Sequence, residues 1–98
     1  MNREQITAIL LQRADALKAI GATSLYMFGS RARGDNRADS DLDLFYEIDE
    51  TRVKSFFDPI GFELDPQDEL GIPVHMAIRD DLYGLVRLQA EREAIKIF

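Results

Sequence analysis

Two aspartates separated by one leucine are the strongest chemical signal in the chain. Asp41 and Asp43 lie in an alternating segment, Asp-Leu-Asp-Leu-Phe-Tyr-Glu, which is typical of a strand. Side chains alternate between the faces of a strand, so both carboxylates would point the same way, roughly 6–7 Å apart. Leu42 and Leu44 would then point to the other face, into the core. A divalent cation would relieve their repulsion, and Mg²⁺ accepts one or two carboxylates together with waters and phosphates. The pair predicts a magnesium site, although an isolated Asp-x-Asp is also common on solvent-facing strands.

A Gly-Ser pair precedes these aspartates and predicts a site for phosphate. Gly29-Ser30 ends the apolar, aromatic segment Ser-Leu-Tyr-Met-Phe. Glycine lets the backbone come close to a ligand, while amide N–H groups and the Ser30 hydroxyl suit an anionic phosphate chain. If the two strands are neighbours, Gly29 and Ser30 face the same pocket as Asp41 and Asp43. A lone Gly-Ser is usually a turn, so the signal lies in the combination.

The elements that must position these residues follow from periodicity and from breaks in it. Ile6, Leu10 and Leu17 belong to an apolar stripe at helical spacing, with Asn2 as its cap and Gly21 as its end. The predicted order gives a small α/β (α+β) domain with a mixed sheet packed against helices. The elements are helix 3–20, strand 24–28, a helical turn at 30–33, strand 41–47, a broken helical region at 51–71, strand 72–78, a helix capped by Asp80 or Asp81 and running to 94, and a terminal strand at 95–98.

Composition narrows the classes of protein. With 98 residues, the chain is expected to form a single domain over residues 1–98. The net charge of −6 argues against a general nucleic-acid binder, which needs a basic footprint. There is no cysteine, and the longest uncharged stretch, residues 19–30, is too short and polar to span a bilayer. No apolar leader is evident at the N-terminus, so we expect a cytoplasmic protein without direct nucleic-acid or membrane contact.

The motifs resemble the signature of minimal nucleotidyltransferases of the DNA polymerase beta superfamily. The matching residues are Gly29-Ser30-Arg31-Ala32-Arg33-Gly34 and Ser40-Asp41-Leu42-Asp43-Leu44, with Glu93-Ala94-Ile95 also in the expected place. The resemblance implies transfer of a nucleoside monophosphate from a nucleoside triphosphate with Mg²⁺. It assigns the triphosphate to Gly29 and Ser30 and the metal to Asp41 and Asp43. Short members resemble antitoxins that transfer AMP from ATP to a tyrosine of a HEPN-type RNase toxin, in a hetero-oligomer.

The sequence departs from that family at one position. A third carboxylate is usual on a later strand, where this chain has His75 in Pro-Val-His-Met-Ala. Imidazole binds Mg²⁺ poorly but accepts protons near neutral pH. His75 is therefore either a catalytic proton acceptor, a mark of weakened catalysis, or a structural residue. Four acids nearby in sequence could also substitute for the missing carboxylate: Glu63, Asp65, Asp68 and Glu69.

The arginines and aromatic residues each leave alternatives open. Arg33 either neutralises phosphate or braces the loop through Asp35 or Asp39, Arg37 is expected to be solvated, and Arg31 is undecided. The aromatic residues are expected to be core rather than a base-stacking platform: Phe45, Tyr46, Phe56, Phe57 and Phe62.

The leading functional hypothesis is an adenylyltransferase-type antitoxin that uses ATP and Mg²⁺. A non-catalytic module that neutralises its partner by masking it is the main alternative, since an acidic protein suits a basic, RNA-cutting surface. Transfer to a small molecule ranks below both, because no acceptor pocket is evident in the sequence.

Overall fold

A four-stranded mixed sheet organises the protein. The computed structural model describes residues 2–19, 21–49 and 71–98. The elements in chain order are α1 (Arg3–Gln12), α2 (Ala14–Ala19), β1 (Ala22–Phe28), α3 (Ser30–Arg33), β2 (Leu42–Ile48), β3 (Val74–Ile78), a 3₁₀ helix (Arg79–Asp81), α4 (Gly84–Glu93) and β4 (Ile95–Lys96). The fold class predicted from the sequence is confirmed.

The sheet has the order β3-β2-β1-β4. β1 pairs antiparallel with both β2 and β4, whereas β2 and β3 are parallel. The pairing of β1 with β2 places the ends of the two predicted motifs side by side, because Phe28 lies opposite Asp43. The parallel pairing places His75 opposite Asp43 on the other side of β2. Three separate sequence segments therefore meet at one end of the sheet.

The two faces of the sheet have different coverings. Leu25, Met27, Leu42 and Leu44 are fully buried in one core cluster, which also contains Ile6 and Leu10 of α1 and Leu17 of α2. The opposite face carries Phe45, stacked on Tyr26 at a ring-centroid distance of 4.8 Å and also near Phe28. The predictions that Leu42 and Leu44 face the core, and that Phe45 and Tyr46 are buried, are confirmed.

The N-terminal helix forms nearly as predicted, with one interruption. Asn2 caps α1 in a capping box with Gln5, which satisfies amides that the first turn leaves free. The predicted continuous helix is broken at Arg13, whose N–H bonds to Leu10 as well as to Leu11 and so tightens the last turn. α2 continues to Ala19, and Gly21 follows with φ of 112°, a conformation that favours glycine.

Two predictions in the C-terminal half need correction or lie outside the described residues. Asp80 and Asp81 do not cap the last helix, since they belong to the 3₁₀ helix and extended residues 82 and 83 separate them from α4. Arg79 holds this turn by bonding Glu47 of β2 and Glu91 of α4. The predicted helices within 51–70, with Phe56, Phe57 and Phe62, lie outside the described ranges.

Among the residues described, no helix has the length and apolar character that a bilayer crossing requires.

Candidate functional site

The site begins where β1 ends and its chain turns into α3. Gly29 has φ of 77°, in the region that favours glycine. A Cβ atom on Gly29 would overlap the Asp43 carboxylate, because Asp43 lies on β2 opposite the end of β1. Glycine is therefore needed here for two reasons, its backbone conformation and the close approach of the carboxylate. The predicted helical turn at residues 30–33 is confirmed as α3.

A cavity of about 310 Å³ lies between this turn and α4. From the sheet side its lining includes four of the predicted site residues, Gly29, Ser30, Arg33 and Asp43. From α4 it includes Val86, Gln89, Ala90 and Glu93. A larger concavity of about 530 Å³ lies near the start of α1 and includes Arg33 but neither Asp41 nor Asp43 among its described lining. The smaller cavity is the candidate site, since residues of the predicted phosphate motif and one of the two predicted metal-binding carboxylates both line it.

Asp41 and His75 form a pair at the edge of this site. His75 Nε2 lies 2.7 Å from Asp41 Oδ2, and both side chains are largely open to solvent. Neither residue is in the described lining of the cavity, although His75 lies opposite Asp43 in the sheet. The structure thus places all three predicted catalytic residues on adjoining positions. It brings Asp43, rather than Asp41, into direct contact with the glycine turn.

The electrostatic environment of Asp43 suits a cation. Burial is the main influence that raises the pKa of Asp43 above its ordinary value of 3.8, and the Asp41 carboxylate raises it further. Charges on His75 and Arg33 lower the pKa of Asp43 in part. A half-buried carboxylate beside a second one is stabilised in its ionised form when positive charge is placed next to it.

The two carboxylates suit a Mg²⁺ ion whose remaining ligands come from water and from substrate phosphates. Asp41 and Asp43 offer carboxylate oxygens, the ligand type that Mg²⁺ prefers, and Mg²⁺ normally keeps several waters or phosphate oxygens. Within residues 2–19, 21–49 and 71–98, no group of three or more His, Cys, Asp or Glu side chains has metal-binding geometry. Glu63, Asp65, Asp68 and Glu69 lie outside those ranges. The described residues would thus supply two carboxylates, and the rest of the shell would come from solvent and substrate.

Arg33 adopts the bracing arrangement that the sequence left as one of two alternatives. Its guanidinium bonds Asp35 at 3.0 Å and Glu93 at 2.7 Å. These two carboxylates, Asp35 first, raise the pKa of Arg33. Arg33 still lines the cavity, so bracing the turn and facing a phosphate are compatible roles.

Arg31 is a structural residue whose role sequence reasoning left undecided. Its side chain is only 4% exposed. Its guanidinium donates to the Ser40 carbonyl through Nε and Nη2, at 3.1 and 2.9 Å, and to the Ala38 carbonyl at 3.3 Å. It therefore fastens the connection between α3 and β2 just before Asp41. The only sequence signal for this role was its place within the Gly-Ser-Arg-Ala-Arg-Gly segment.

Glu93 is a site residue that the sequence analysis did not assign. Its carboxylate accepts from the Gly29 amide at 3.0 Å, from Arg33 and from Gln89. The Gln89 hydrogen bond is the largest influence that lowers the pKa of Glu93, and Arg33 and the Gly29 amide lower it too. Glu93 is 64 positions from Gly29 in the chain. Only its place in the Glu-Ala-Ile segment could have drawn attention to it.

Comparisons with known proteins identify the family of this chain. The profile of the nucleotidyltransferase domain family matches residues 9–97. A solved structure of a proposed minimal nucleotidyltransferase is 34% identical, with a TM-score of 0.71, over 97% of this chain and 95% of that one. No curated protein gives a significant match.

Two further structures share the fold at lower identity. One, a toxin-antitoxin with AMP-PNP, is 18% identical, with a TM-score of 0.66, over 94% of this chain and 70% of that one. The other is a mutant of the toxin-antitoxin MntA-HpeT, 13% identical, with a TM-score of 0.66, over 100% of this chain and 73% of that one. The family profile and the closely similar minimal structure carry the assignment, and the chain belongs to the nucleotidyltransferase domain family as a minimal-type member.

Proposed function

We propose that this chain is an antitoxin that transfers AMP from ATP to a tyrosine of a HEPN-type RNase toxin. The observation that carries the proposal is the contact between the Gly29 turn and Asp43, which joins a phosphate-binding motif to a metal-binding motif. Phosphoryl transfer depends mainly on positioning and on neutralising charge, and both requirements fit such a site. Two structural neighbours, a toxin-antitoxin with AMP-PNP and the toxin-antitoxin MntA-HpeT, make this partner class the natural one to test.

In the proposed reaction the tyrosine oxygen attacks the α-phosphorus of ATP. A bond forms between that oxygen and phosphorus, the bond to the bridging oxygen of the β-phosphate breaks, and pyrophosphate leaves. Bound Mg²⁺ would neutralise the phosphates and favour the attack. Asp41 and Asp43 would hold that ion, while Ser30 and Arg33 would orient the β- and γ-phosphates. The tyrosine proton would pass to His75 or to solvent.

The outer surface of α4 supports a protein acceptor. Four large apolar side chains on or just before this helix are strongly exposed: Tyr83, Leu85, Val86 and Leu88. Val86 also lines the candidate cavity, so this apolar surface continues into the site. Exposed clusters of apolar side chains commonly mark protein interfaces. A partner seated here could present a tyrosine at the mouth of the cavity.

Intact-mass spectrometry of a HEPN-type toxin encoded beside this chain tests the proposal. The toxin is incubated with this chain, ATP and Mg²⁺. We expect a mass gain of one or more AMP units that is lost in the Asp41→Asn/Asp43→Asn variant. The matched control is Asp80→Asn/Asp81→Asn, which removes two exposed carboxylates from the 3₁₀ helix, away from the cavity. Absence of any gain despite formation of a stable complex would contradict transfer to that partner.

The same experiment separates transfer from masking, the second candidate function. The masking hypothesis draws its support from His75, which stands where a third carboxylate is usual and bonds Asp41. If the Asp41→Asn/Asp43→Asn variant still binds the toxin and still neutralises its RNase activity, masking is sufficient. If binding survives and neutralisation is lost, the chemistry is required.

A further inference from the structure

Glu93 connects three elements around the candidate site. It is the last residue of α4, and its side chain is only 12% exposed. One carboxylate oxygen accepts from the Gly29 amide, while the other accepts from Arg33 and from the Gln89 side chain. These donors belong to the residue that follows β1, to α3 and to α4 itself. No other carboxylate in the described ranges bonds the backbone of the glycine turn.

The position of Glu93 is unfavourable unless those donors are present. A carboxylate at the C-terminal end of a helix opposes the helix dipole. A mostly buried carboxylate also loses hydration and must recover it from hydrogen bonds. Charge-assisted bonds from a guanidinium and a backbone amide are the strong type that can offset this cost. Glu93 is therefore fixed to the turn rather than resting against it.

Two roles are compatible with this contact, and they have opposite consequences. Glu93 could be a placeholder that occupies phosphate-binding donors until a nucleotide displaces it, or an anchor that keeps its contacts when the nucleotide binds. Displacement would take Gly29 and Arg33 away from Glu93 and leave a mostly buried carboxylate with Gln89 alone, close to the negative charge of a triphosphate. That outcome costs both hydrogen bonding and electrostatic energy. The contacts thus favour the anchor.

We propose that Glu93 is a positioning residue that holds the Gly29–Ser30 turn and Arg33 in the arrangement that receives the triphosphate. This inference rests on the proposed function, since it concerns the same nucleotide site. Glu93 accepts the hydrogen bond of the Gly29 amide, and the Asp43 carboxylate occupies the space where a side chain at position 29 would lie. The Gly29 amide is then not a phosphate ligand. Ser30 and the free edge of Arg33 are the groups left to contact phosphate.

Calorimetric titration of the whole chain with AMP-PNP and Mg²⁺ tests the anchor. We expect Glu93→Ala to weaken binding by about tenfold or more, the size expected when a charge-assisted network is removed. Glu93→Gln keeps one oxygen acceptor and should recover part of the loss. The matched control is Glu91→Ala on the same helix, which pairs with Arg79 and Arg87 away from the cavity and should change binding by less than about twofold. Unchanged or tighter binding by Glu93→Ala would overturn the proposal and favour the placeholder.

Hydrogen exchange of the Gly29 amide provides a readout that does not depend on nucleotide. In ¹⁵N-labelled protein below its unfolding transition, Glu93→Ala should lose protection at Gly29 while amides within β2 keep theirs. If the wild-type chain binds no AMP-PNP, the proposed function fails, and the exchange experiment alone then decides whether Glu93 fixes the turn. Unchanged Gly29 protection in Glu93→Ala would overturn the anchor even if the nucleotide binds.

Discussion

The two sides of the candidate site are organised in different ways. The turn side consists of Gly29, Ser30, Arg33, Gln89 and Glu93, and hydrogen bonds from α4 hold it in place. The carboxylate side consists of Asp41 and His75, which are exposed by 45% and 68% and bond each other. Asp43 lies between the two sides of the site, packed against Gly29.

This difference shows which side of the site is already ordered in the folded chain and which side a bound ligand would stabilise. On the turn side, the hydrogen bonds from Gly29, Arg33 and Gln89 to Glu93 already fix the backbone and leave Ser30 to contact an anion, so little ordering is needed when an anion binds. On the carboxylate side, Asp41 is exposed and lies near the like charge of Asp43, with His75 as its hydrogen-bond partner, so an added cation would stabilise this side. Substitutions on the two sides should therefore differ in their effects on stability.

A substitution at Gly29, where the two sides meet, should cause the largest loss of stability. Gly29→Ala introduces a strained φ and an overlap with Asp43, and we expect it to lower the free energy of unfolding by about 3 kcal/mol. Gly34→Ala is the control for a glycine in the ordinary left-handed region, because Gly34 has φ of 87° and ψ of 10° and nothing lies within 4 Å of an added Cβ. It should cost about 1 kcal/mol. Urea unfolding of both variants measures the difference, and equal losses would show that neither the extended ψ of Gly29 nor its contact with Asp43 matters for stability.

Substitution of the buried Arg31, which holds the loop before Asp41, should cause the second largest loss of stability. Arg31→Met keeps most of the side-chain volume but leaves the Ser40 and Ala38 carbonyls without their donor. We expect a loss of about 2 kcal/mol in the free energy of unfolding. Arg37→Met, an exposed change in the same connection, should cost no more than about 0.5 kcal/mol. Similar unfolding midpoints for the two variants would contradict the bracing role of Arg31.

Lowering the pH should reduce the free energy of unfolding, because protonated Glu93 no longer stabilises the turn side. Because its pKa is lower in the folded chain than its ordinary value of 4.5, Glu93 stabilises the fold above that pH, and this contribution disappears as the pH falls through the folded-state pKa. In urea unfolding between about pH 6 and pH 3, Glu93→Gln should show a shallower decline below pH 4.5 than the wild type. Gln89→Ala, which removes the largest influence on that pKa, should give an intermediate slope. A wild-type slope in Glu93→Gln would contradict this contribution.

The smallest effect on stability is expected on the carboxylate side. His75→Ala removes a solvent-exposed contact to Asp41, and exposed pairs contribute about 0–1 kcal/mol. Its free energy of unfolding should therefore stay within about 1 kcal/mol of the wild type. A loss of more than about 2 kcal/mol would show that His75 is a structural residue and that the two sides are held equally firmly.

Local sequence patterns were sufficient to predict most of the helices and strands. Strand alternation identified Leu42 and Leu44 as core residues, and the capping signal at Asn2 located the start of α1. The errors arose where long-range contacts override local preference. Asp80 and Asp81 are good helix-capping residues, yet Arg79 is held by Glu47 and Glu91 and the chain turns there before α4 begins.

The sequence by itself determined which residues are candidates for binding phosphate and metal, because residue type and spacing favour that chemistry. It identified Gly29-Ser30 and Asp41-Leu42-Asp43 and predicted that two strands would carry them. Only the tertiary structure decided that Asp43 packs against Gly29, that Arg31 is buried beneath the loop before Asp41, and that Glu93 holds the turn. These contacts join residues up to 64 positions apart, and their partners are set by strand register and helix placement rather than by local spacing.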